Sequence, residues 1–369
     1  MAFSEKYLNY DLGSGDNDGS SEANAWRTWG DAISGASAGD RINVKRTSSR
    51  IDSGAITWSV SGTATAPIHI RAYTSTISDG GMFEQDDRFQ CTGENVLIEG
   101  LDIDSSTTLL LWITGDMSCA YRCKVVSSST SGSIVQAQDA SFVHCYVKAP
   151  INTSVIVWLK RASAIDCYFE CSGATAASGA RVVIADCDYM RNNVINCVIK
   201  GNGDSDLIGL QYRNDHRRKG GVCVNNTIEG CGIGVQMQEG ADTGRLDVIV
   251  FQNNIIYNCV KAFENLQGTN TTSIGHFLNN NATGAVTGAA YTNMGDMNIN
   301  QITLTTSPFV DTTNYELNNT AGGGALLKER GALKSHADPS IVSATSTSRT
   351  TFPDMGAVMR PVPEVAHVF

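Results

Sequence analysis

Charge is scarce in this 369-residue chain: Asp, Glu, Lys and Arg make up 17% of it, and Phe, Trp and Tyr only 7%. Long surface helices draw on Glu, Lys, Leu and Ala, so this scarcity disfavours them. Gly, Ser, Thr, Asn and β-branched residues dominate instead and suit many short strands joined by tight turns. Apolar residues still reach 41%, enough for a packed core and too many for wholesale disorder. Basic residues are in deficit, with a net charge of −10. The chain as a whole repels phosphate, and no nucleic-acid partner is expected. Long apolar runs are missing. Leu109 to Ile113 and Val155 to Leu159 fall far short of the roughly 20 residues of a spanning helix, so no membrane insertion is expected. Met1 to Leu8 lacks a basic segment followed by an apolar stretch, and no secretory signal is read there. Cysteine is not scarce: there are 11, an odd number. A secreted disulfide scaffold is shorter and pairs its cysteines, so these read as reduced, buried small hydrophobes made in a reducing compartment.

What the sequence does have is repetition. Ala120-Tyr121-Arg122-Cys123-Lys124-Val125, Val143-His144-Cys145-Tyr146-Val147 and Ile165-Asp166-Cys167-Tyr168-Phe169 align without gaps, and their cysteines recur every 22 residues. That spacing fits one coil of a β-solenoid. A second series sets an Asn pair before an apolar strand: Asn192-Asn193-Val194-Ile195, Asn225-Asn226-Thr227-Ile228, Asn253-Asn254-Ile255-Ile256 and Asn279-Asn280-Asn281-Ala282. One coil cannot bury its apolar face alone, whereas stacked coils complete both ladder and core. Stacking brings like residues into register, so cysteines form an interior column and asparagines bond amide to amide while tolerating a left-handed turn. Between Ile42 and Leu317 the spacing allows roughly eleven coils.

A solenoid has two open ends whose unpaired edges invite aggregation. Trp26, Trp29, Ala32 and Ile33 lie at helical spacing within Asn24 to Ser34, which predicts a capping helix there. Ala38-Gly39-Asp40 then breaks it before a strand over Arg41 to Lys45. Residues 306–369 hold five of the seven prolines and Gly322-Gly323-Gly324, which suits an irregular cap. The expected fold is all-β, a right-handed parallel β-helix, with an N-terminal cap over 1–40, the solenoid over 41–305 and a C-terminal cap and tail over 306–369.

Further residues carry a resemblance. Tyr7-Leu8-Asn9, Gly13-Ser14-Gly15-Asp16-Asn17-Asp18-Gly19, Ala25-Trp26-Arg27-Thr28 and Ala38-Gly39-Asp40-Arg41-Ile42 form one group. Ser307-Pro308-Phe309-Val310-Asp311, Asn314-Tyr315-Glu316-Leu317 and Pro353-Asp354-Met355-Gly356-Ala357 form the other. Together they resemble the terminal signatures of pectate-lyase-like β-helix proteins. That resemblance implies the fold and leaves the activity open, because the superfamily hosts lyases, hydrolases, epimerases, adhesins and phage tailspikes. It also implies what to look for: Ca²⁺ on acidic residues with an Arg base in lyases, or clustered Asp with Gly-His-Gly and Arg-x-Lys in hydrolases. Neither set is intact. Gly275-His276-Phe277 only grazes the second.

A coil that reads as longer than its neighbours carries Arg213-Asn214-Asp215-His216-Arg217-Arg218-Lys219 after Asp204-Ser205-Asp206. Arg213, His216, Arg217, Arg218 and Lys219 could clamp the carboxylates or sulfates of an acidic glycan. Asp204, Asp206, Asp215 and Arg217 are the candidates for acid–base work, which needs two groups across a bond. The competing reading of this loop is a solvated basic turn. Asp16 and Asp18 alternate like a partial calcium loop but lack its downstream Glu, so a plain turn competes with bound calcium. Cys119-x3-Cys123 and Cys167-x3-Cys171 lack the clustered spacing of a zinc site. Tyr121, Tyr146 and Tyr168 form either an outward contact stripe or ordinary cross-strand packing.

Three function classes follow. First comes a bacteriophage virion component, such as a capsid decoration protein, head fibre or tail-associated spike, made in the host cytoplasm and residing in the virion. Its partners are capsid proteins and itself as a homotrimer, with Arg360 to Phe369 as a strap onto a neighbour, and a cell-surface polysaccharide as ligand. The alternatives are a polysaccharide lyase or glycoside hydrolase acting on an acidic polysaccharide, with extracellular placement, and a bacterial surface adhesin.

Overall fold

The computed structural model describes residues 3–47, 54–150, 155–173, 179–186, 192–214, 221–239, 249–266, 277–292, 298–312 and 315–328. Contacts divide the chain into two units, Met1–Pro150 and Ile151–Phe369. Each is built from three parallel sheets whose neighbouring strands are one coil apart in sequence.

In the first unit, Ser4–Leu8, Asp40–Lys45, Ile68–Tyr73, Val96–Glu99, Cys119–Tyr121 and Ser141–Val143 form one sheet. Phe83–Gln85, Leu101–Ser105, Lys124–Ser127 and Tyr146–Ala149 form a second, and Ile56–Trp58, Phe89–Cys91, Leu111–Ile113 and Ser133–Gln138 a third. Strand alternation decides what is buried. Ile42, Ile70, Ile98, Ala120 and Phe142 stand opposite one another in register and all are fully buried. Arg41, His69, Leu97, Cys119 and Ser141 share the alternate column.

The open end is closed by a helix over Trp29–Gly35, shorter than the expected span from Asn24. The reason is its cap: Thr28 is extended, and its hydroxyl accepts from the Asp31 N–H, so the helix cannot begin earlier. Trp29 packs against Trp58, Phe83 and Phe89 at ring distances of 6.2, 5.5 and 5.4 Å. The preceding residues also contribute a strand, since Ser4–Leu8 pairs with Asp40–Lys45. Gly19, at φ +70, lies so close to the Trp26 ring that a Cβ would sit 2.5 Å from it, which accounts for that glycine.

In the second unit the sheets are Ser163–Ile165, Asn192–Ile195, Gly221–Val224, Val250–Gln252, Phe277–Asn279 and Asn298–Ile299; Tyr168–Cys171, Val198–Lys200, Thr227–Glu229, Ile255–Tyr257, Ala282–Gly284 and Ile302–Leu304; and Val155–Lys160, Arg181–Asp186, Ile208–Asn214, Ile233–Glu239, Lys261–Leu266 and Tyr291–Thr292. The turn between the first two sheets holds one left-handed residue per coil: Asp166, Asn196, Asn225, Asn253 and Asn280, with φ from 54 to 59°. Asn suits this conformation. The following residues, Asn226, Asn254 and Asn281, form a buried ladder. Asn226 Nδ2 donates to Asn254 Oδ1, and Asn254 Nδ2 to Asn281 Oδ1, at 3.0 and 2.9 Å. Asn192-Asn193, expected in this ladder, is outside it. Register aligns Asn196-Cys197 with Asn225-Asn226 instead, and Cys197 N–H donates to Asn226 Oδ1. Asn192 bonds Ala162 N–H and Asp186 O.

All ten cysteines among the described residues are thiols, and nine of them are buried. Cys123 and Cys145 occupy equivalent positions in successive coils and donate to the main-chain carbonyls of Ile98 and Ala120. At the far end, Phe309 and Leu317 bridge, and Asn318 bonds Ser307 O, Phe309 O and the N–H groups of Thr320 and Gly324. Tyr315 is buried there, its hydroxyl donating to Glu229 at 2.6 Å. The strap over Arg360 to Phe369 lies outside the described residues. Among the described residues no helix is long and apolar enough to cross a membrane.

Candidate functional site

The third sheet of the second unit alternates core and polar positions. Its inward columns, such as Val157, Val183, Leu210, Val235 and Phe263, are core. The alternate positions place two polar columns side by side. One runs Trp158, Ile184, Gln211, Gln236, Glu264; the other Lys160, Asp186, Arg213, Gln238, Leu266.

Asp186 is the centre of the second column. Its Oδ2 accepts from Trp158 Nε1 at 3.3 Å and lies 3.8 Å from Arg213 Nη2. Lys160 Nζ stands 4.1 Å from the Trp158 ring centre and the Arg213 guanidinium 5.9 Å, so a half-buried indole is flanked by two cations. Arg181 joins from the strand's start, donating through Nε to Gln211 Oε1 at 2.6 Å. Burial, and then the charge of Arg213, pull the Arg181 pKa below its ordinary value; the two guanidiniums repel. Lys160 and Arg213 thus flank Asp186 and Trp158 at one end of the sheet, while Arg181 and Lys261 stand at its other end, Lys261 against Glu264, on a chain of net charge −10. This local excess suits a polyanion.

Of the loop expected to bind, only Arg213 is placed on this face; Asp215, His216, Arg217, Arg218 and Lys219 lie outside the described residues. Asp204 and Asp206 sit in the turn before this strand, with Asp206 N–H bonded to Asp204 Oδ1 at 2.8 Å. Ile208 to Arg213 spans about 17 Å of strand, so these carboxylates are not brought to Arg213. The acid beside it is Asp186, from another coil, together with Lys160 and Trp158. None of the three was singled out in the sequence, where Trp158 sits inside an apolar run. Aligning the third strand of each coil would have found them.

Asp18 turns its carboxylate onto the Ser20 N–H at 2.8 Å, and hydrogen bonds from Ser20 hold its pKa low; Asp16 N–H donates to Asn24 Oδ1. This is turn chemistry. Among the described residues no three His, Cys, Asp or Glu are grouped to hold a metal. The acidic neighbours Glu84 and Asp102 are paired with Arg46 and Lys124. These residues do not fit the calcium of the resembled lyases. Gly275 and His276 are also outside the described residues.

The first unit has its own polar face, on the Ser4–Leu8 sheet. Glu5 pairs with Arg41 at 3.0 Å and Arg71 at 3.6 Å, and Glu99 with His69 at 2.9 Å and Arg122 at 3.4 Å. The His69 hydrogen bond is the main cause holding the Glu99 pKa low. Here two carboxylates are shared among three arginines and His69, so every one of these cations has an acidic partner. The expected tyrosine stripe is not one column. Tyr121 lies opposite Val143 in one sheet and Tyr146 opposite Lys124 in another, because they precede and follow the turn at the cysteine. Tyr168 is buried.

A solved structure of similar shape decides the fold. A pectate lyase, Pel9A, matches with a TM-score of 0.50 at 14% identity, over 98% of this chain and 97% of that one. The fold is the right-handed parallel β-helix. A rhamnogalacturonan lyase matches at TM-score 0.49 and 13% identity, over 87% and 96% of the two chains. The PL6 family alginate lyase AlyGC matches at 0.43 and 14%, over 85% of this chain and 55% of that one. No protein-family model matches the sequence, and no curated protein matches it either.

Proposed function

We propose that this chain is a polysaccharide lyase acting on an acidic polysaccharide, bound across the Lys160–Asp186–Arg213 face. The observation that carries this reading is the cationic excess around an aromatic ring on an otherwise acidic β-helix. Guanidinium groups pair with carboxylates in a planar, bidentate fashion, and Trp158 offers a platform for a sugar ring. The name of the similar pectate lyase points the same way.

In this reading Arg213 holds a uronate carboxylate and neutralises it, which acidifies the carbon-bound hydrogen beside it, and Arg181 meets the carboxylate of another sugar along the strand. Lys160 takes that proton. The electron pair forms a carbon–carbon double bond, the bond from the next carbon to the glycosidic oxygen breaks, and the oxygen recovers the proton Lys160 took. Asp186 orients the cations and Trp158. Hydrolysis fits less well. Asp186 and Glu264 are three coils apart, about 14 Å between strands, against roughly 6.5–9.5 Å for paired glycosidase carboxylates.

The virion reading, with its capsid partners and trimer, draws no support from the fold neighbours, and its strap lies outside the described residues; nor does any feature favour an adhesin. The lyase reading is tested by incubating the protein with pectate, alginate, hyaluronan and a sialylated capsule while following the ultraviolet absorbance of unsaturated ends. Absorbance should rise with at least one polyuronate and stay flat with Lys160→Ala. No rise with any substrate, despite a folded protein, overturns it.

A further inference from the structure

Two buried glutamines link the two ends of this face with one polarity. Arg181 Nε donates to Gln211 Oε1 at 2.6 Å. Gln211 Nε2 donates to Gln236 Oε1 at 2.6 Å and to Gln238 Oε1 at 2.9 Å. Gln236 Nε2 donates to Glu264 Oε2 at 2.9 Å, and Glu264 Oε1 accepts from Lys261 at 2.5 Å. Gln211, Gln236 and Glu264 are buried, with 0, 4 and 6% of their surface exposed. An isolated amide could point either way. Here it cannot, because arginine only donates and an ionised carboxylate only accepts. The charged ends therefore orient both amides, and each reversed amide would leave a buried donor facing a donor.

We infer that Glu264 is a positioning residue for Arg181, acting through Gln211 and Gln236 over three coils, about 14 Å, and so sets the site's selectivity for a carboxylate-bearing sugar. The inference rests on this face being the glycan site. Arg181 donates to main-chain Gly179 O and to Gln211, and charge repulsion from Arg213 pushes it away. The Gln211 carbonyl supplies the restraint on the Nε side, and Glu264, accepting at the far end, fixes the ladder that holds that carbonyl in place. Free to turn, the guanidinium loses the fixed fork that distinguishes a planar carboxylate from a neutral hydroxyl.

The test uses Glu264→Gln, which keeps size but has one acceptor oxygen where Gln236 Nε2 and Lys261 both donate, so that its amide nitrogen can face Gln236 and it no longer dictates polarity. In ¹⁵N-arginine-labelled full-length protein, the Arg181 Nε–H resonance, assigned by its loss in Arg181→Gln, should be protected from solvent exchange. It should lose that protection in Glu264→Gln while the melting temperature holds. Binding of a polyuronate oligosaccharide should weaken about tenfold, the scale of one charge-assisted hydrogen bond, and a double variant with Arg181→Gln should bind no worse than Arg181→Gln alone. Unchanged Arg181 protection in Glu264→Gln overturns the inference, as does an equal loss of binding with and without Arg181. If the wild type binds no polyuronate, the glycan reading fails instead, and the exchange measurement still decides the ladder.

Discussion

Asn254 Oδ1 accepts two hydrogen bonds from Asn226, one from its side-chain amide and one from its main-chain N–H, both at 3.0 Å. Asn281 Oδ1 repeats the arrangement for Asn254, at 2.9 and 3.1 Å. Replacing Asn254 by Leu leaves buried Asn226 donors without an acceptor, at a cost of about 1–3 kcal/mol. Asn226→Leu should cost a similar amount through the Cys197 N–H. Denaturant melts measure this directly, and a neutral result for both variants would show that the ladder is not supporting the solenoid. Backbone strain resides one residue earlier, at Asn225 and Asn253.

The buried thiols should resist chemistry. Burial, then the neighbouring Cys145, holds the Cys123 pKa well above the ordinary 9.0, and burial pushes Cys91 and Cys223 up to about 12. The thiolate is the nucleophile, so alkylation at pH 8 should label these residues only after unfolding. Rapid native labelling of Cys123 would contradict the packing. A raised folded-state pKa also means that between pH 9 and 12 the unfolded chain releases protons the folded one retains. Stability should therefore fall as pH rises through that window.

Tyr315→Phe should loosen the C-terminal cap. It removes the phenol donor from the buried Glu229 carboxylate, at about 1.5–3 kcal/mol for a hydrogen bond to a charged group. Within the cap, the main-chain N–H groups of Val310 and Asn318 donate to the carbonyls of Glu316 and Pro308. Both should exchange faster in the variant while the coils hold theirs. Unchanged exchange would show that the hydroxyl bond does not hold the cap.

Much of this fold was legible in the sequence because a solenoid writes its period into residue spacing. The 22-residue recurrence of Cys123 and Cys145 corresponds to one coil in register, and the Asn pairs mark a turn that needs a left-handed residue. Asn192-Asn193 misled because coil length changes: Ser163 pairs with Asn193, 30 residues on, so the true partner of the ladder was Asn196-Cys197. The site was less legible. Lys160, Asp186 and Arg213 are 26 and 27 residues apart and meet only through strand pairing. Gln211 and Gln236 look like ordinary polar strand residues until the register places them between an arginine and a carboxylate.

The central claim is that the Lys160–Asp186–Arg213 face binds an acidic glycan. The most direct measurement is calorimetric titration of polyuronate and neutral oligosaccharides into the wild type and into Arg213→Ala. Only the polyuronate should bind, more weakly as salt rises and about tenfold more weakly in the variant, the scale of one charge-assisted contact. Equal affinity for the neutral sugar, or an Arg213→Ala protein that binds polyuronate as tightly as the wild type, would contradict it.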